Sequence, residues 1–290
     1  MKKYLTLFFA AALFLLASCQ REKRSFDEIL DEKRAPVEFT ASLGAFSTKA
    51  TDSSFGDGDV IGIFALNPID AYNVRAVVSA SGAVSPQSPV RWELVETVDF
   101  MAYHPYNANL SEPGYSFSVN TDQTKYENYR ASDISTASMT AEYGSKVNLE
   151  FSHRLSRLTV DAACDDPSDE VVAVTLGKLV VNVEVDMEAA SASAGTKTDF
   201  IKAGKAVSGN GNVGYVAILV PQKINLPIEI RTRKGYVVTA TLDTPANFEG
   251  GFAYRTSLIR IPAGDITNPV SFSVTVADWD DDGILVFNTQ

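Results

Sequence analysis

The sequence predicts an all-β protein with two β-sandwich domains in tandem, placed behind an export signal. Three observations indicate this class. Apolar and polar residues alternate with a period of two in many short segments, and turn-forming residues separate those segments. No apolar pattern of helical period extends beyond about ten residues. Because a sandwich domain takes about 100 residues, a chain of 290 residues has room for two.

The N-terminus has the features of a bacterial lipoprotein signal peptide, which we assign to residues 1–18. Lys2 and Lys3 precede an uncharged, mostly apolar run over residues 4–16. That run suits the apolar core of a signal peptide and is shorter than the about 20 residues of a membrane-spanning helix. Two small residues then lead to Cys19, as in a lipobox, so we expect cleavage before Cys19 and acylation of its thiol. The alternative is an ordinary signal peptide with a cysteine nearby.

Charge and cysteine content narrow the class of protein further. Cleavage before Cys19 leaves 272 residues with 23 basic and 36 acidic side chains, a formal net charge of −13. An acidic chain of this kind argues against nucleic-acid binding, which needs basic faces against phosphates. Cys164 is the one other cysteine, so an acylated Cys19 leaves it no partner for a disulfide within the chain. The stability of the protein must therefore come from its apolar cores.

The mature chain is expected to begin with a charged, flexible tether over residues 19–36. Strand patterns follow it, and a polar stretch from Asn120 to Lys146 is the expected seam between domains of residues 37–143 and 144–290. A change in the phase of the alternation near Ser156 predicts a β-bulge. The predicted strands are 37–41, 60–64, 72–78, 95–103, 115–119, 147–151, 158–162, 171–185, 214–220, 228–230, 236–242, 257–261, 272–276 and 284–287.

The sequence carries none of the common motifs of catalysis. It contains two histidines, His104 and His153, and no nucleophile elbow, zinc motif or phosphate-binding glycine loop. Each histidine, and Cys164, is interpreted as a structural residue. We therefore predict that the protein is not an enzyme and needs no cofactor.

One acidic segment, residues 278–283, matches the first half of a calcium-binding loop. The twelfth position of such a loop should be a bidentate glutamate, and here it is Thr289. Flanking helices are also missing from the pattern. An acidic hairpin turn, with Gly283 at positive φ, is the better interpretation, so no metal site is predicted.

The order of the motifs resembles the fimbrillin family of Bacteroidales, the Mfa-like lipoprotein pilins of type V pili. Each motif is weak alone, and the resemblance depends on their joint order over most of the chain. The segments that carry it are the lipobox ending at Cys19, Val37–Phe39, Thr48–Ala50, Gly58–Phe64, Val98–Tyr106, Asn120–Gln123, Phe151–Leu158, Ala217–Gln222, Gly251–Tyr254 and Trp279.

The resemblance implies transthyretin-like sandwiches, no enzyme activity and assembly by strand exchange. In the family, a protease removes the first strand, and a strand from the next subunit fills the opened groove. The resemblance implies that the partners of the protein are other pilin subunits, which contact one another head to tail. It also implies that the lipid anchors the protein in the outer membrane, at the cell surface. Many relatives are cut after an arginine, whereas Lys49 occupies the matching position here. Arg34 is a second candidate, but a cut there would spare the first strand.

The C-terminal segment is the expected donor, with alternating residues Phe272, Val274, Val276, Ile284 and Val286. The other interpretation of this segment is that it completes its own sandwich. An alternative function is a monomeric surface lipoprotein that binds a host or other glycan through one sandwich. Its candidate aromatic platforms are Trp92, Tyr103 and Tyr106, although packing in a core explains these rings equally well.

Overall fold

This computed structural model describes residues 34–44, 55–66, 69, 71–93, 96–207, 213–264, 269–277, 279 and 286–287. It separates residues 1–36 from a compact unit of residues 37–290. The described part of the second unit holds 25 strands and one α-helix, so the predicted all-β class is confirmed. No helix in these ranges is long and apolar enough to cross a membrane.

The elements, in chain order, are β1 (Phe39–Leu43), β2 (Asp59–Ala65), β3 (Ala71–Val78), β4 (Ala83–Pro86), β5 (Thr97–His104), β6 (Gly114–Ser118), α1 (Tyr126–Ser132), β7 (Ser135–Glu142), β8 (Val147–His153), β9 (Ser156–Val160), β10 (Ala162–Cys164), β11 (Val171–Val180), β12 (Asn182–Asp186), β13 (Ser191–Ala194), β14 (Thr198–Lys202), β15 (Gly204–Val207), β16 (Val213–Leu219), β17 (Gln222–Ile224), β18 (Pro227–Thr232), β19 (Val237–Leu242), β20 (Ala246–Phe248), β21 (Ala253–Thr256), β22 (Ile259–Ile261), β23 (Val270–Phe272), β24 (Val274–Ala277) and β25 (Val286–Phe287).

The first strands form a closed sheet in the order β1-β4-β3-β2-β5-β7-β8. All of its pairings are antiparallel except that of β1 with β8, which closes the sheet in parallel. Alternate side chains point inward because strand side chains alternate between faces. The core inside this sheet includes Ile61, Ile63, Trp92, Phe100 and Leu149, all buried.

A second core lies between sheets built from the later strands. The largest have the orders β14-β11-β18-β19-β23 and β24-β21-β9-β16-β15-β25. A three-stranded sheet, β13-β12-β6, brings β6 from the first half of the chain onto β12. The two remaining sheets, β10-β22 and β17-β20, have two strands each. Leu158, Leu176, Ile218, Ile230 and Phe248 are among the buried residues of this core.

The bulge predicted near Ser156 is wrong. β8 ends at His153 in the closed sheet, and β9 begins at Ser156 in the six-stranded sheet. All five residues of β9 are buried. The phase of the alternation changes because the chain leaves the closed sheet and enters the six-stranded sheet. The face of the strand that is buried there is determined by the second core.

The stretch predicted as a seam contains α1 and β7 rather than irregular chain alone. Beyond it, β8 pairs with β1 and β7 and so belongs to the closed sheet. A division into domains of residues 37–143 and 144–290 stays a prediction.

Candidate strand-exchange site

The strand β1 occupies a slot between β4 and β8. Its parallel register with β8 runs from Phe39 opposite Val147 to Leu43 opposite Phe151. On the other side, Phe39 lies opposite Val84 in an antiparallel pair with β4. At its C-terminal end, the amide of Gly44 donates to the carbonyl oxygen of Phe151. β1 is therefore an internal strand. Its removal would leave β4 and β8 each with an unpaired edge where β1 had been.

Side chains of β1 fill the apolar part of this slot. Phe39 and Ala41 are buried, and the ring of Phe39 meets Phe100 edge to face at 5.5 Å between centroids. On the outer face, the hydroxyl of Thr40 donates to Oδ1 of Asn148 at 2.6 Å. A strand that replaced β1 would thus need an aromatic or large aliphatic residue, a second inward residue two positions later and polar residues between them.

A tight turn between β3 and β4 closes over β1. The carbonyl oxygen of Gly82 accepts a hydrogen bond from the amide of Ala41 at 2.8 Å. Gly82 has a φ of 78°, and a Cβ atom there would lie 2.6 Å from the carbonyl oxygen of Ala41. Glycine is required at this position because the turn needs positive φ and close approach at once. No sequence pattern indicates the contact of this turn with β1, which is 41 positions earlier in the chain.

The predicted processing residues lie on both sides of β1 in sequence. Arg34 is at the start of the described chain and is partly exposed. Cys19 and Lys49 lie outside the described residues. Because β1 ends at Leu43 and β2 begins at Asp59, a cut after Lys49 separates β1 from the rest of the chain.

The predicted donor residues fall on three separate strands. Phe272 is buried in the second core and sits on β23, which pairs in parallel with β19. Val274 and Val276 are on β24, which pairs with β21, and Val276 is 64% exposed. Val286 is on β25, which pairs with β15, and is 58% exposed. Ile284 lies outside the described residues. Phe272 thus contributes to the core of its own chain, whereas β24 and β25 lie at the two edges of the six-stranded sheet.

In addition to its pairing with β15, the strand β25 packs on α1 through the side chain of Phe287. The ring of Phe287 lies 5.4 Å from that of Tyr126 and 5.1 Å from that of Tyr129, between centroids. A Cβ atom at Gly204 would lie 2.2 Å from Cε1 of Phe287, so the ring sits directly over the glycine. The sequence pattern did not predict this contact, because the residues come from three distant segments.

Two of the three aromatic platforms proposed for the glycan-binding alternative are fully inside the fold, and the third is partly covered. Trp92 and Tyr103 are buried, and Tyr106 is half-buried and stacks on Tyr103 at 6.5 Å between ring centroids. The hydroxyl of Tyr103 lies 2.7 Å from Oδ1 of Asn73, and its burial raises its pKa to about 12. These rings are part of the packing of the fold and are not available to stack on a sugar, which corrects that expectation.

The two histidines have structural partners. His153 Nδ1 lies 2.9 Å from Oδ1 of Asp133, and its ring stacks on Trp279 at 4.1 Å. Burial lowers the pKa of His104, whose ring meets Phe55 edge to face at 5.5 Å.

Cys164 is half-buried, and its pKa is raised first by burial and then by Asp169 and its acidic neighbours. A raised pKa disfavours the reactive thiolate, in keeping with the structural interpretation. Within the described ranges, no group of three or more histidine, cysteine, aspartate or glutamate residues has the arrangement of a metal site. The acidic segment 278–283 falls outside those ranges except for Trp279.

Two solved structures with a similar fold are cell adhesion protein candidates from Bacteroides ovatus and Bacteroides uniformis. The first has a TM-score of 0.68 and 17% sequence identity, and the alignment covers 85% of this chain and 98% of that one. The second has a TM-score of 0.65 and 18% identity, and the alignment covers 85% of this chain and 99% of that one. At these identities the likeness shows a shared fold. No curated protein matches the sequence.

The sequence itself also matches a family model described as fimbrillin-like, over residues 48–279. The match starts after β1, which ends at Leu43, and extends through β24. It covers most of the chain and confirms the resemblance that the order of the motifs indicated. The chain therefore belongs to the fimbrillin-like family.

Proposed function

We propose that this protein is a structural or adhesive subunit of a cell-surface pilus and joins its neighbours by strand exchange. A protease removes β1, and a strand from the next subunit takes its place. The proposal assigns the protein no catalytic role. Membership of the fimbrillin-like family supports a role at the cell surface in a fimbria or in adhesion.

The position of β1 is the observation that carries the proposal. β1 is an internal strand of a closed sheet, and its loss would leave the unpaired edges of β4 and β8. Removal would also empty the apolar sites of Phe39 and Ala41 beside Phe100. An unpaired edge beside an apolar slot is a template for an added strand, which supplies hydrogen bonds and alternate side chains.

The C-terminal segment is the proposed donor. β24 and β25 each pair with one neighbour at a sheet edge, and their residues Val276 and Val286 are exposed. Both strands would therefore leave their sheet at a lower cost in free energy than β23, which carries the buried Phe272. Donor and acceptor surfaces differ, so each contact is head to tail and the assembly grows as a filament. Other copies of this chain or related pilin subunits are the partners.

Export and anchoring complete the proposal. Cleavage before Cys19 and acylation of its thiol would attach the subunit to the outer membrane, at the cell surface, through the segment that precedes β1. Because β1 follows that segment in the chain, a cut after Lys49 would remove the lipid anchor together with β1. Processing and release from the membrane would then be one event.

The test uses the unlipidated chain from residue 20, treated briefly with trypsin and followed by intact mass and size-exclusion chromatography. We expect loss of the fragment that ends at Lys49, followed by growth of oligomers that resist SDS. The variant Lys49→Gln should keep β1 and stay monomeric, because the bond after residue 49 is no longer a trypsin site.

Arg34→Gln is the matched control, since it removes the cut that spares β1, and it should polymerise like the unmodified chain. A protein that loses β1 and remains monomeric at high concentration would contradict strand exchange. Polymerisation of Lys49→Gln at the rate of the unmodified chain would contradict the assignment of Lys49.

A further inference from the structure

A broad groove lies between α1, the outer face of the five-stranded sheet and β25. Its volume is about 1280 Å³. Pockets for single small molecules usually measure about 300–1,000 Å³, so this groove has room for a chain of several units. Its walls come from six strands and the segment that leads into α1, which explains why no sequence motif marks it.

The groove presents aromatic and apolar groups to solvent. Tyr126 and Phe200 both line the groove and are 49% and 55% exposed. Val286 and Phe287 form a further part of the wall. The flat faces of these exposed rings suit the apolar faces of sugar rings.

The groove is also basic, although the chain as a whole is acidic. Lys125, Lys202, Lys205 and Arg231 line it, against Glu127 and Glu229. Arg231 and Glu229 form an ion pair at 2.9 Å, which leaves three lysines and one glutamate. The side-chain hydrogen bond from Thr124 lowers the pKa of the neighbouring Asp122 most, and the charges of Lys202 and Lys125 lower it further. With Asp122 counted, three lysines face two acidic residues, so the balance is slightly positive in a protein whose formal net charge is −11.

The edge of β14 beside the groove argues against an extended peptide as the ligand. The amide of Lys202 donates to Thr121, and the amide of Gln123 donates to the carbonyl oxygen of Lys202. The amide of Phe200 donates to the side chain of Asp199 at 2.8 Å. Because these backbone groups already have partners, an added strand would gain few hydrogen bonds here.

We propose that this groove binds an acidic saccharide chain, with sugar rings against Tyr126 and Phe200 and anionic groups on the lysines. Carboxylate and sulfate groups both fit that chemistry, and the lysines bind either as point charges. This site is a different part of the molecule from the β1 slot. It shares β25 with the proposed donor, so the proposal concerns the uncut subunit, in which β25 is in place.

The experiment measures binding to the uncut, monomeric protein by isothermal titration calorimetry. The probes are a short heparin-derived oligosaccharide, an oligogalacturonate, a neutral malto-oligosaccharide of similar length and a polyglutamate peptide. We expect one or both acidic saccharides to bind, with an affinity that falls as salt is added, and the neutral one to bind much more weakly. Binding of oligogalacturonate identifies carboxylate as sufficient, and binding of the heparin fragment alone identifies a need for sulfate.

Variants locate the site. The double change Lys202→Gln with Lys205→Gln, and separately Phe200→Ala, should each weaken the affinity by about tenfold or more. Lys223→Gln and Tyr72→Ala are matched controls on exposed residues outside the groove and should bind as the unmodified protein does. Thermal melting of every variant checks that the fold is kept.

Three results would overturn the proposal. They are the absence of binding by both acidic saccharides, equal binding by the groove variants and the unmodified protein, and tighter binding of the polyglutamate peptide than of either acidic saccharide. Since the protein is uncut and monomeric throughout, none of these results depends on whether β1 is exchanged.

Discussion

The side chain of Gln123 is fully buried and connects the segment before α1 to Ile218, near the C-terminal end of β16. Its Nε2 donates to the carbonyl oxygens of Asn120 and Ile218, and its Oε1 accepts from the amide of Ile218 at 2.7 Å. In the sequence, Gln123 belongs to a segment that resembles the family, but nothing there predicts that its side chain is buried. Its burial depends on β16, 95 positions away, and no local pattern reports such a contact.

Replacing Gln123 with leucine should destabilise the protein by about 3 kcal/mol, because both backbone groups of Ile218 lose their partner inside the fold. Urea denaturation followed by circular dichroism measures the change in the free energy of unfolding. Gln87→Leu, at an exposed position, is the control and should change the free energy little. Equal effects from the two substitutions would show that the contacts of Gln123 contribute nothing to stability.

The raised pKa of Tyr103 leads us to expect that the protein loses stability at high pH. Burial raises its pKa from 10.0 to about 12, so the folded protein keeps the phenol neutral while the unfolded chain ionises. The contribution of Tyr103 is therefore complete below pH 10 and is lost as the pH rises through about 12.

Urea midpoints measured across that interval should fall less steeply in Tyr103→Phe than in the unmodified protein. Some dependence should remain, because burial also raises the pKa values of Tyr115 and Tyr215. Tyr72→Phe, at a ring that is 58% exposed, is the matched control and should leave the slope unchanged. An unchanged slope in Tyr103→Phe would contradict the assignment.

At the scale of elements, the turn at Gly82 determines how firmly β1 is held. Gly82 and Gly144 both have positive φ, 78° and 77°, but a Cβ atom at Gly144 meets nothing within 4 Å. Gly144→Ala should therefore cost about 1 kcal/mol from backbone strain alone. Gly82→Ala should cost about 2 kcal/mol more, because the new methyl group pushes against the carbonyl oxygen of Ala41.

The two glycine variants are compared by urea denaturation and by the rate at which trypsin releases β1. Release should be faster in Gly82→Ala alone. If both variants lost the same stability and released β1 at the same rate, the turn would not hold β1.

The alternation of apolar and polar residues along the chain predicted the positions of many strands, but it did not predict which strands pair. Val147, Leu149 and Phe151 are buried in β8 as their spacing indicated. Their parallel partner is β1, which is 108 positions away, and alternation carries no information about partners at that distance. The β1 slot was expected only because of the resemblance to a family. The contacts of Gly82 and Asn148 with β1 were found only in the structure.

At the scale of the whole molecule, the proposed boundary after residue 143 can be tested with fragments. A fragment of residues 37–143 lacks β8, which pairs with β1 and β7 and supplies Leu149 and Phe151 to the core. A fragment of residues 37–154 contains every strand of the closed sheet. We expect cooperative thermal unfolding from the longer fragment and none from the shorter one. Equal cooperativity would place the boundary at 143, as the sequence predicted.

The positions of β24 and β25 determine how many binding edges the molecule offers. These strands cover β21 and β15 at opposite edges of one sheet, although both come from the last part of the chain. Loss of that part would expose β21 and β15 in a single step, so the truncated molecule would be a bivalent unit with two new edges. Bivalent units link without a fixed end, so the size distribution of a C-terminally truncated protein would depend on concentration.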